Sequence, residues 1–323
     1  MDSDALPILP PRDARGHKGT FGTVCVFGGC AVGASEGPAL RSRMIGGPAL
    51  SAIAALRVGA GLARLAMPEP VLDAGLTIAP SATGVCVPVD RDGQIVGHEA
   101  ARVIDEVALA SDCLAIGPGL GVGEGARAAA VRAVGQEDCP VVVDADAINN
   151  LCDVPELRRD LRAGAVFTPH PGEFRRLADA LGVAGDPTGD DGARVGAAER
   201  MAQSLGCVVV LKGARTVVSD GHRAWIDEHE NACLATAGTG DVLTGAIAGL
   251  IAQHHRKPIV AGSRTVTSER MGGLSLYDCA RLGVRAHALA AAAWSGSHSD
   301  ASGGMLAMEL ADLLPEVVEG LRG

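Results

Sequence analysis

Aromatic side chains are nearly absent from this chain: its 323 residues include four Phe, two Trp and one Tyr. A core built around large rings is therefore excluded. The 47 % of residues that are hydrophobic must fill it as Ala, Val, Leu and Ile in close backbone contact. Positive charge is also scarce. The formal net charge of −10 argues against nucleic acid or an anionic membrane as a bulk partner, and leaves room only for a local basic phosphate site. The nine cysteines form no CxxC pair, and no His cluster has metal-ligand spacing, so they read as free, mostly buried thiols of a reducing compartment. The acidic, Pro-containing start (Met1-Asp-Ser-Asp-Ala-Leu-Pro7) is not a secretory signal, and the apolar run Val242–Ala252 is too short to span a bilayer. A soluble cytoplasmic protein is expected.

Two familiar nucleotide signatures are missing. Gly117-Pro-Gly-Leu-Gly-Val-Gly123 is not GxGxxG, because Val122 holds the third glycine position. GxxxxGK[ST] occurs nowhere, which excludes a P-loop. Any nucleotide must be held in another way.

Short β-branched runs recur at Thr23–Phe27, Leu62–Ala66, Cys113–Ile116, Pro140–Asp144, Ala165–Thr168 and Val208–Leu211. Several are apolar on both faces, as in parallel strands covered on each side by helices. Between them lie helical stretches such as Gly47–Arg57, Gly125–Val134, Glu173–Leu181 and Ala197–Ser204. This alternation predicts one three-layer α/β/α domain over residues 1–323 with a mostly parallel sheet. Thr216–Ser219 and Arg223–Ile226 flank Asp220-Gly221, which predicts an antiparallel edge hairpin. Two segments, 30–45 and 255–275, look like inserted loops and read as solvated loops or as lids.

Polar or Gly-rich sequence follows strand after strand: Gly28-Gly29, Gly117–Gly121, Asp144–Asn149, Thr168–Glu173 and Lys212-Gly213. In an open parallel sheet the carboxyl ends of the strands form the ligand crevice, which gathers these segments at one edge. Asn231-Ala-Cys-Leu-Ala-Thr-Ala-Gly-Thr-Gly-Asp241 then runs straight into an apolar helix. A helix N-terminus offers free N–H groups and a positive dipole end to phosphate oxygens. Asp241 beside it reads either as a helix cap or as a base for a hydroxyl attacking phosphorus. Lys212-Gly-Ala-Arg-Thr216 reads as an ordinary turn or as a phosphate and adenosine contact. In Thr168-Pro-His-Pro-Gly-Glu173, prolines on both sides leave the His170 imidazole projecting, which reads as a ligand contact ahead of a core residue. Glu173 there is a first-turn dipole partner or an outer ligand of Mg²⁺. Gly46-Gly-Pro opens a helix ending at Arg57-Val-Gly-Ala-Gly61, where small residues permit tight packing or leave room for a flat ring. His17-Lys-Gly-Thr-Phe-Gly22 is by default a structural lead-in to the first strand.

Taken in order, eight of these segments (His17-Lys-Gly, Gly46-Gly-Pro, Arg57–Gly61, Ile116–Gly121, Val143–Asn149, Thr168–Glu173, Leu211-Lys-Gly and Leu234–Asp241) resemble the NAD(P)H-hydrate dehydratases of the ribokinase-like superfamily. The resemblance spans roughly residues 6–252 and resumes around 282–292. It implies an enzyme that uses ADP or ATP, with Mg²⁺, to phosphorylate the C6 hydroxyl of hydrated NADH or NADPH. Phosphate then leaves and the reduced dinucleotide is restored. It implies Asp241 as the base and Gly238, Thr239 and Gly240 as the anion hole. Lys212, Gly213, Ala214, Arg215 and Thr216, with Gly240, would contact the nucleotide. Gly47, Gly119, Gly121 and His170, with Asp241, would hold the hydrated dinucleotide, and Glu173 would reach Mg²⁺ through water. Both inserted segments are longer than usual in this family, and Gly47 stands where alanine is usual. No epimerase domain is seen before the first strand, so a separate epimerase is the implied partner, and a homo-oligomer, a tetramer, the implied assembly. The rivals are a small-molecule kinase of the same fold, for a thiazole or pyrimidine alcohol, and a non-catalytic nucleotide sensor.

Overall fold

The structure, a computed structural model, describes residues 5–32, 42–256, 259–261, 264–266 and 273–322. In chain order its elements are β1 (Thr23–Phe27), α1 (Gly46–Arg57), β2 (Leu62–Pro68), α2 (Glu69–Ile78), β3 (Thr83–Val87), α3 (Gly97–Leu109), β4 (Cys113–Ile116) and α4 (Glu124–Gly135). Next come β5 (Val141–Val143), α5 (Ala145–Leu151), α6 (Leu157–Asp160), β6 (Ala165–Phe167), α7 (Pro171–Leu181), α8 (Asp191–Leu205), β7 (Val208–Leu211), β8 (Val217–Ser219) and β9 (Ala224–Ile226). The chain closes with α9 (Thr239–His254), β10 (Ile259–Ala261), β11 (Arg264–Val266), α10 (Leu276–Ser297) and α11 (Ala307–Gly320).

Nine strands form one sheet in the order β3-β2-β1-β4-β5-β6-β7-β8-β9. The first seven in that row pair in parallel, and β8 and β9 add the expected antiparallel edge. Strand residues alternate between two cores. Val24, Val26 and Leu65 face α1, α9, α10 and α11, whereas Cys25, Phe27, Leu114 and Ile116 face α3, α4, α5, α7 and α8. With both faces covered, β1, β4, β5, β6 and β7 are buried at every residue, which is why they read as unbroken apolar runs.

Chain order reverses at β1, which lies between β2 and β4. The loops after β1 and β4 therefore diverge to opposite faces and open the crevice. All five Gly-rich or polar segments singled out above follow β1, β4, β5, β6 or β7 and share that edge. The His17–Gly22 segment precedes β1 and forms a short 3-10 turn capped by His17, so it lies at the far edge, as a lead-in.

Helices α1 and α9 pack with backbones nearly touching: a Cβ at Gly245 would collide with the Ser51 main chain. The Ser51 hydroxyl donates to the Asp241 carbonyl at 2.8 Å. Small residues in both helices thus bring the start of α1 beside the start of α9. At the base of the 30–45 segment, Cys30 and Met44 exchange two backbone hydrogen bonds; residues 33–41 lie outside the described residues. The 255–275 segment is not loop throughout, since β10 and β11 pair antiparallel within it, and 257–258, 262–263 and 267–272 lie outside the described residues. No disulfide forms among the cysteines; seven are buried, Cys152 is partly covered and Cys86 is exposed. Among the described residues no helix is long and apolar enough to cross a membrane.

Candidate active site

The site is built around the first turn of α9. Gly238 is its N-cap at φ 92°, a left-handed conformation that favours glycine, and it turns the chain sharply into the helix. The Thr239 hydroxyl lies 2.8 Å from the Leu234 carbonyl and 2.9 Å from that of Thr236. Its N–H also points back at Thr236, at 3.4 Å. The Thr239 carbonyl accepts the Nε2–H of His287 at 2.9 Å, which fixes that imidazole's tautomer. Burial holds the pKa of His287 down at about 4, so the ring stays neutral as this donor. The N–H groups of Gly240 and Asp241 complete the turn without helical partners, a cradle for anionic oxygen.

Beneath this turn lies a charged network from three strand ends. The Lys212 ammonium, after β7, sits 2.7 Å from Asp144 Oδ1, after β5, and 3.8 Å from Glu173 Oε2, in the first turn of α7. Thr244, on the second turn of α9, donates to the other oxygen of Asp144 at 2.7 Å. A Cβ built on Gly240 would stand 3.6 Å from the Lys212 nitrogen, which places that cation directly under the cradle. Burial alone would lower the Lys212 pKa, but Asp144, Glu173 and Asp241 together raise it above its ordinary value. The lysine remains a cation.

Asp241 faces the start of α1, where a Cβ at Gly47 would come within 3.0 Å of its Oδ1. Burial, then repulsion from Asp144, pushes its pKa up from the ordinary 3.8 to about 7, with Lys212 only partly opposing. A carboxyl poised near neutrality at a phosphate cradle is suited to accept a proton from a hydroxyl. The cap reading therefore fails: the N-cap is Gly238, and Asp241 makes no capping contact.

His170 and Glu173 are explained locally in a way the sequence reading left out. His170 caps α7, its Nδ1 accepting the N–H of Gly172 at 2.9 Å and of Glu173 at 3.3 Å, while Glu173 Oε2 accepts the His170 N–H at 2.9 Å. This reciprocal box, with Pro171 at the first position, starts the helix two residues before the expected Glu173. The imidazole side chain is still 51 % exposed, with its Nε2 3.3 Å from Glu173 Oε1. Burial raises the Glu173 pKa and, with Lys212 and Arg176, lowers that of His170. Among the described residues no three His, Cys, Asp or Glu side chains gather as a metal site.

Beside the cradle a cavity of about 530 Å³ is lined by Lys212, Gly213, Ala214, Thr216, Thr239 and Gly240, and further by Asp227, His229, residues 230–232, Leu234, Ala235 and α10. Arg215 does not line it; its guanidinium pairs with Asp191 at 2.9 Å. Arg194, buried in α8, was missed by the sequence reading. It donates to the carbonyls of Ala214, Arg215 and Leu211, and so holds the 212–216 loop in shape. The far wall was missed as well: Asp227, His229, Asn231, and His287 of α10. The charged run Asp227-Glu-His-Glu230 after the hairpin was the available signal.

On the other side the crevice is made by backbone. Gly119 and Gly121 lie in a turn at φ 60° and 76°. The Gly121 N–H donates to Asp146 Oδ2 at 2.9 Å, and its carbonyl accepts from Asn150 at 2.9 Å. The polar residues of α5 therefore brace the glycine turn.

An open sheet covered on both faces, with a glycine turn and a buried carboxyl at its carboxyl edge, places the chain in the ribokinase-like fold class. A ribokinase-like superfamily protein from Enterococcus faecalis has this fold, with a TM-score of 0.70 at 21 % identity over 98 % of this chain and 93 % of that one. Within that class the chain belongs to the NAD(P)H-hydrate dehydratase family, whose model matches residues 41–316. It is 33 % identical to the ADP-dependent (S)-NAD(P)H-hydrate dehydratase of Bacillus subtilis, over 96 % of this chain and 93 % of that protein. A crystal structure of the ADP/ATP-dependent NAD(P)H-hydrate dehydratase from Bacillus subtilis, co-crystallised with ATP/Mg²⁺, matches with a TM-score of 0.69 and 27 % identity, over 98 % of this chain and 95 % of that one. The bifunctional NAD(P)H-hydrate repair enzyme of Salinibacter ruber is 34 % identical over 95 % of this chain, which spans 50 % of that protein. The chain thus covers about half the length of its bifunctional relatives.

Proposed function

We propose that this chain, acting as one catalytic unit, dehydrates the S form of hydrated NADH and NADPH with ADP or ATP as phosphoryl donor. The observation that carries this reading is the Asp241 carboxyl, raised to about 7, set between the α9 cradle and the Gly47 gap. In the proposed sequence the donor's terminal phosphate lies on the turn of Gly238, Thr239 and Gly240, against the free N–H groups of Gly240 and Asp241, over Lys212. Asp241 takes the proton of the C6 hydroxyl as its oxygen attacks phosphorus. The cradle and Lys212 carry the charge that develops on the transferring group. The phosphate ester leaves C6 as the ring nitrogen's lone pair expels it, and loss of a proton from the adjacent carbon restores the ring double bond. AMP is left when ADP is the donor, and ADP when it is ATP.

The donor set suits Mg²⁺ that arrives with the nucleotide and is held through water, since Glu173 and Asp144 offer carboxylates beside Lys212 without a direct ligand cluster. Such an ion supplies charge neutralisation between phosphates. Gly213, Ala214 and Thr216 are proposed for the nucleoside, and Gly119, Gly121 and the outer edge of His170 for the dinucleotide. An epimerase supplying the S form is the proposed partner, with a homotetramer as the assembly and the cytoplasm as the compartment.

The test follows absorbance at 340 nm as the protein meets hydrated NADH, Mg²⁺ and ADP or ATP. Recovery with either nucleotide supports the reading and names the donor. A stable phosphorylated product without recovery would replace it with the kinase, and nucleotide binding without any turnover with the sensor.

A further inference from the structure

The far wall of the nucleotide cavity holds a polar cluster that the reaction leaves unused. Asp227 is buried, and its Oδ1 accepts both the backbone N–H of His229 at 2.9 Å and the imidazole Nδ1–H at 2.7 Å. Its Oδ2 accepts from Arg285 Nε of α10 at 2.7 Å. The guanidinium of Arg285 lies over the Trp225 ring at 5.3 Å. The His229 ring is therefore locked by a carboxylate whose charge is already balanced by an arginine. With Nδ1 committed to Asp227, Nε2 is the ring's remaining polar atom, and this nitrogen makes no hydrogen bond among the described residues.

Position narrows what that nitrogen can meet. The Asp227 N–H donates to the Thr216 carbonyl at 3.0 Å, and the His229 carbonyl accepts from Arg215 N at 3.3 Å. His229 thus abuts the 212–216 loop and lines the cavity together with Lys212 and the apolar Leu234, Ala235, Val284 and Ala288. Phosphates belong over Lys212, and a flat base belongs on apolar side chains. The sugar joins the two, and its hydroxyls both donate and accept. Exposed Glu230 on the same wall disfavours phosphate there.

We propose that His229 sets the sugar selectivity of the cavity through a hydrogen bond between its Nε2 and a ribose hydroxyl, with Asp227 and Arg285 as its positioning residues. This rests on the nucleotide reading of the cavity. The experiment titrates the intact protein with ADP, 2′-deoxy-ADP, 3′-deoxy-ADP and IDP by calorimetry, without hydrated dinucleotide. Wild-type protein is expected to bind one of the deoxy nucleotides about tenfold more weakly than ADP. His229→Asn keeps a donor for Asp227 but has no atom at the Nε2 position, so it is expected to bind ADP and that analogue equally. His229→Gln, whose amide reaches the Nε2 position, is expected to restore part of the discrimination. Wild-type discrimination persisting in His229→Asn overturns the proposal, as does a change confined to ADP against IDP, which would place the contact on the base. Equal weakening of all four nucleotides also overturns it, because it marks a merely structural histidine. Failure of the wild-type protein to bind ADP at all would instead defeat the nucleotide reading itself.

Discussion

The two sides of the crevice are built from different materials. The side proposed for the nucleotide, from β7 through α9 and α10, is a network of side chains: Lys212, Asp144, Glu173, Thr244 and Asp241 are charge- or hydrogen-bond-coupled over a few ångströms. The side proposed for the dinucleotide, from β1 through α5, presents glycine backbone, with Asp146 and Asn150 bracing it from behind. The first side is costly to assemble, since it buries like charges, and its worth is in the chemistry that this repulsion tunes. The second buries little charge and works by letting a ligand come close. Substitutions should therefore act through charge on one side and through shape on the other.

The sharpest test is Asp241→Asn. Loss of the base is expected to lower kcat by a factor of about 10³ or more, with ADP affinity retained by calorimetry. Stability should move the other way. The raised pKa means that the native carboxyl holds its proton more tightly than the unfolded one, so its contribution falls as pH climbs from about 4 to about 7. Above that range the ionised group costs the fold about 2–4 kcal/mol. Urea titrations should accordingly find Asp241→Asn more stable above pH 7 and indistinguishable from wild type near pH 4. A loss of both activity and stability at high pH would return Asp241 to a structural role.

Lys212→Ala comes next. It strands two buried carboxylates, and about 3 kcal/mol of stability should be lost. The apparent KM for nucleotide should rise about tenfold or more, by a larger factor than kcat falls, as steady-state kinetics at fixed Mg²⁺ would show. Unchanged nucleotide dependence would remove Lys212 from the cradle. For the wild-type enzyme, kcat/KM should rise about tenfold per pH unit below 7 and level off above it, as Asp241 loses its proton. A flat profile from pH 5.5 to 8 would break the link between burial and catalysis.

The smallest effect belongs to the backbone side. Gly119→Ala forces a side chain into a left-handed conformation, with its Cβ 3.0 Å from that of Met44. About 1–2 kcal/mol of stability and a severalfold rise in KM for the hydrated dinucleotide are expected, while KM for ADP stays unchanged. Equal changes in both constants would dissolve the distinction between the two sides.

Legibility in the sequence followed the same division. Thr23–Phe27, Cys113–Ile116 and Val208–Leu211 were read with their observed bounds, because strands buried on both faces leave continuous apolar runs. Strand β3 escaped because it is an edge strand whose Thr83, Gly84 and Cys86 are exposed, so it carries little apolar signal. Gly238, Asp241 and Lys212 were legible because a glycine turn entering a helix, and a lysine ending a strand, are local patterns. Arg194, Asp227 and His287 were not, because each acts on residues in another element, and His229 was not, because it is held by Asp227. His287 meets Thr239 across 48 positions, and Arg285 meets Asp227 across 58.

The sequence by itself determined the layered sheet, the edge at which its polar and Gly-rich segments gather and the family to which the chain belongs, since periodicity and turn chemistry are written in adjacent residues. Only the tertiary structure decided what the charged residues are worth. It set Asp144 beside Lys212, brought the start of α1 against Asp241 through the Gly245–Ser51 contact, and by that burial raised a carboxyl to about 7. A pKa depends on distances and on excluded water, and neither exists until the chain has folded.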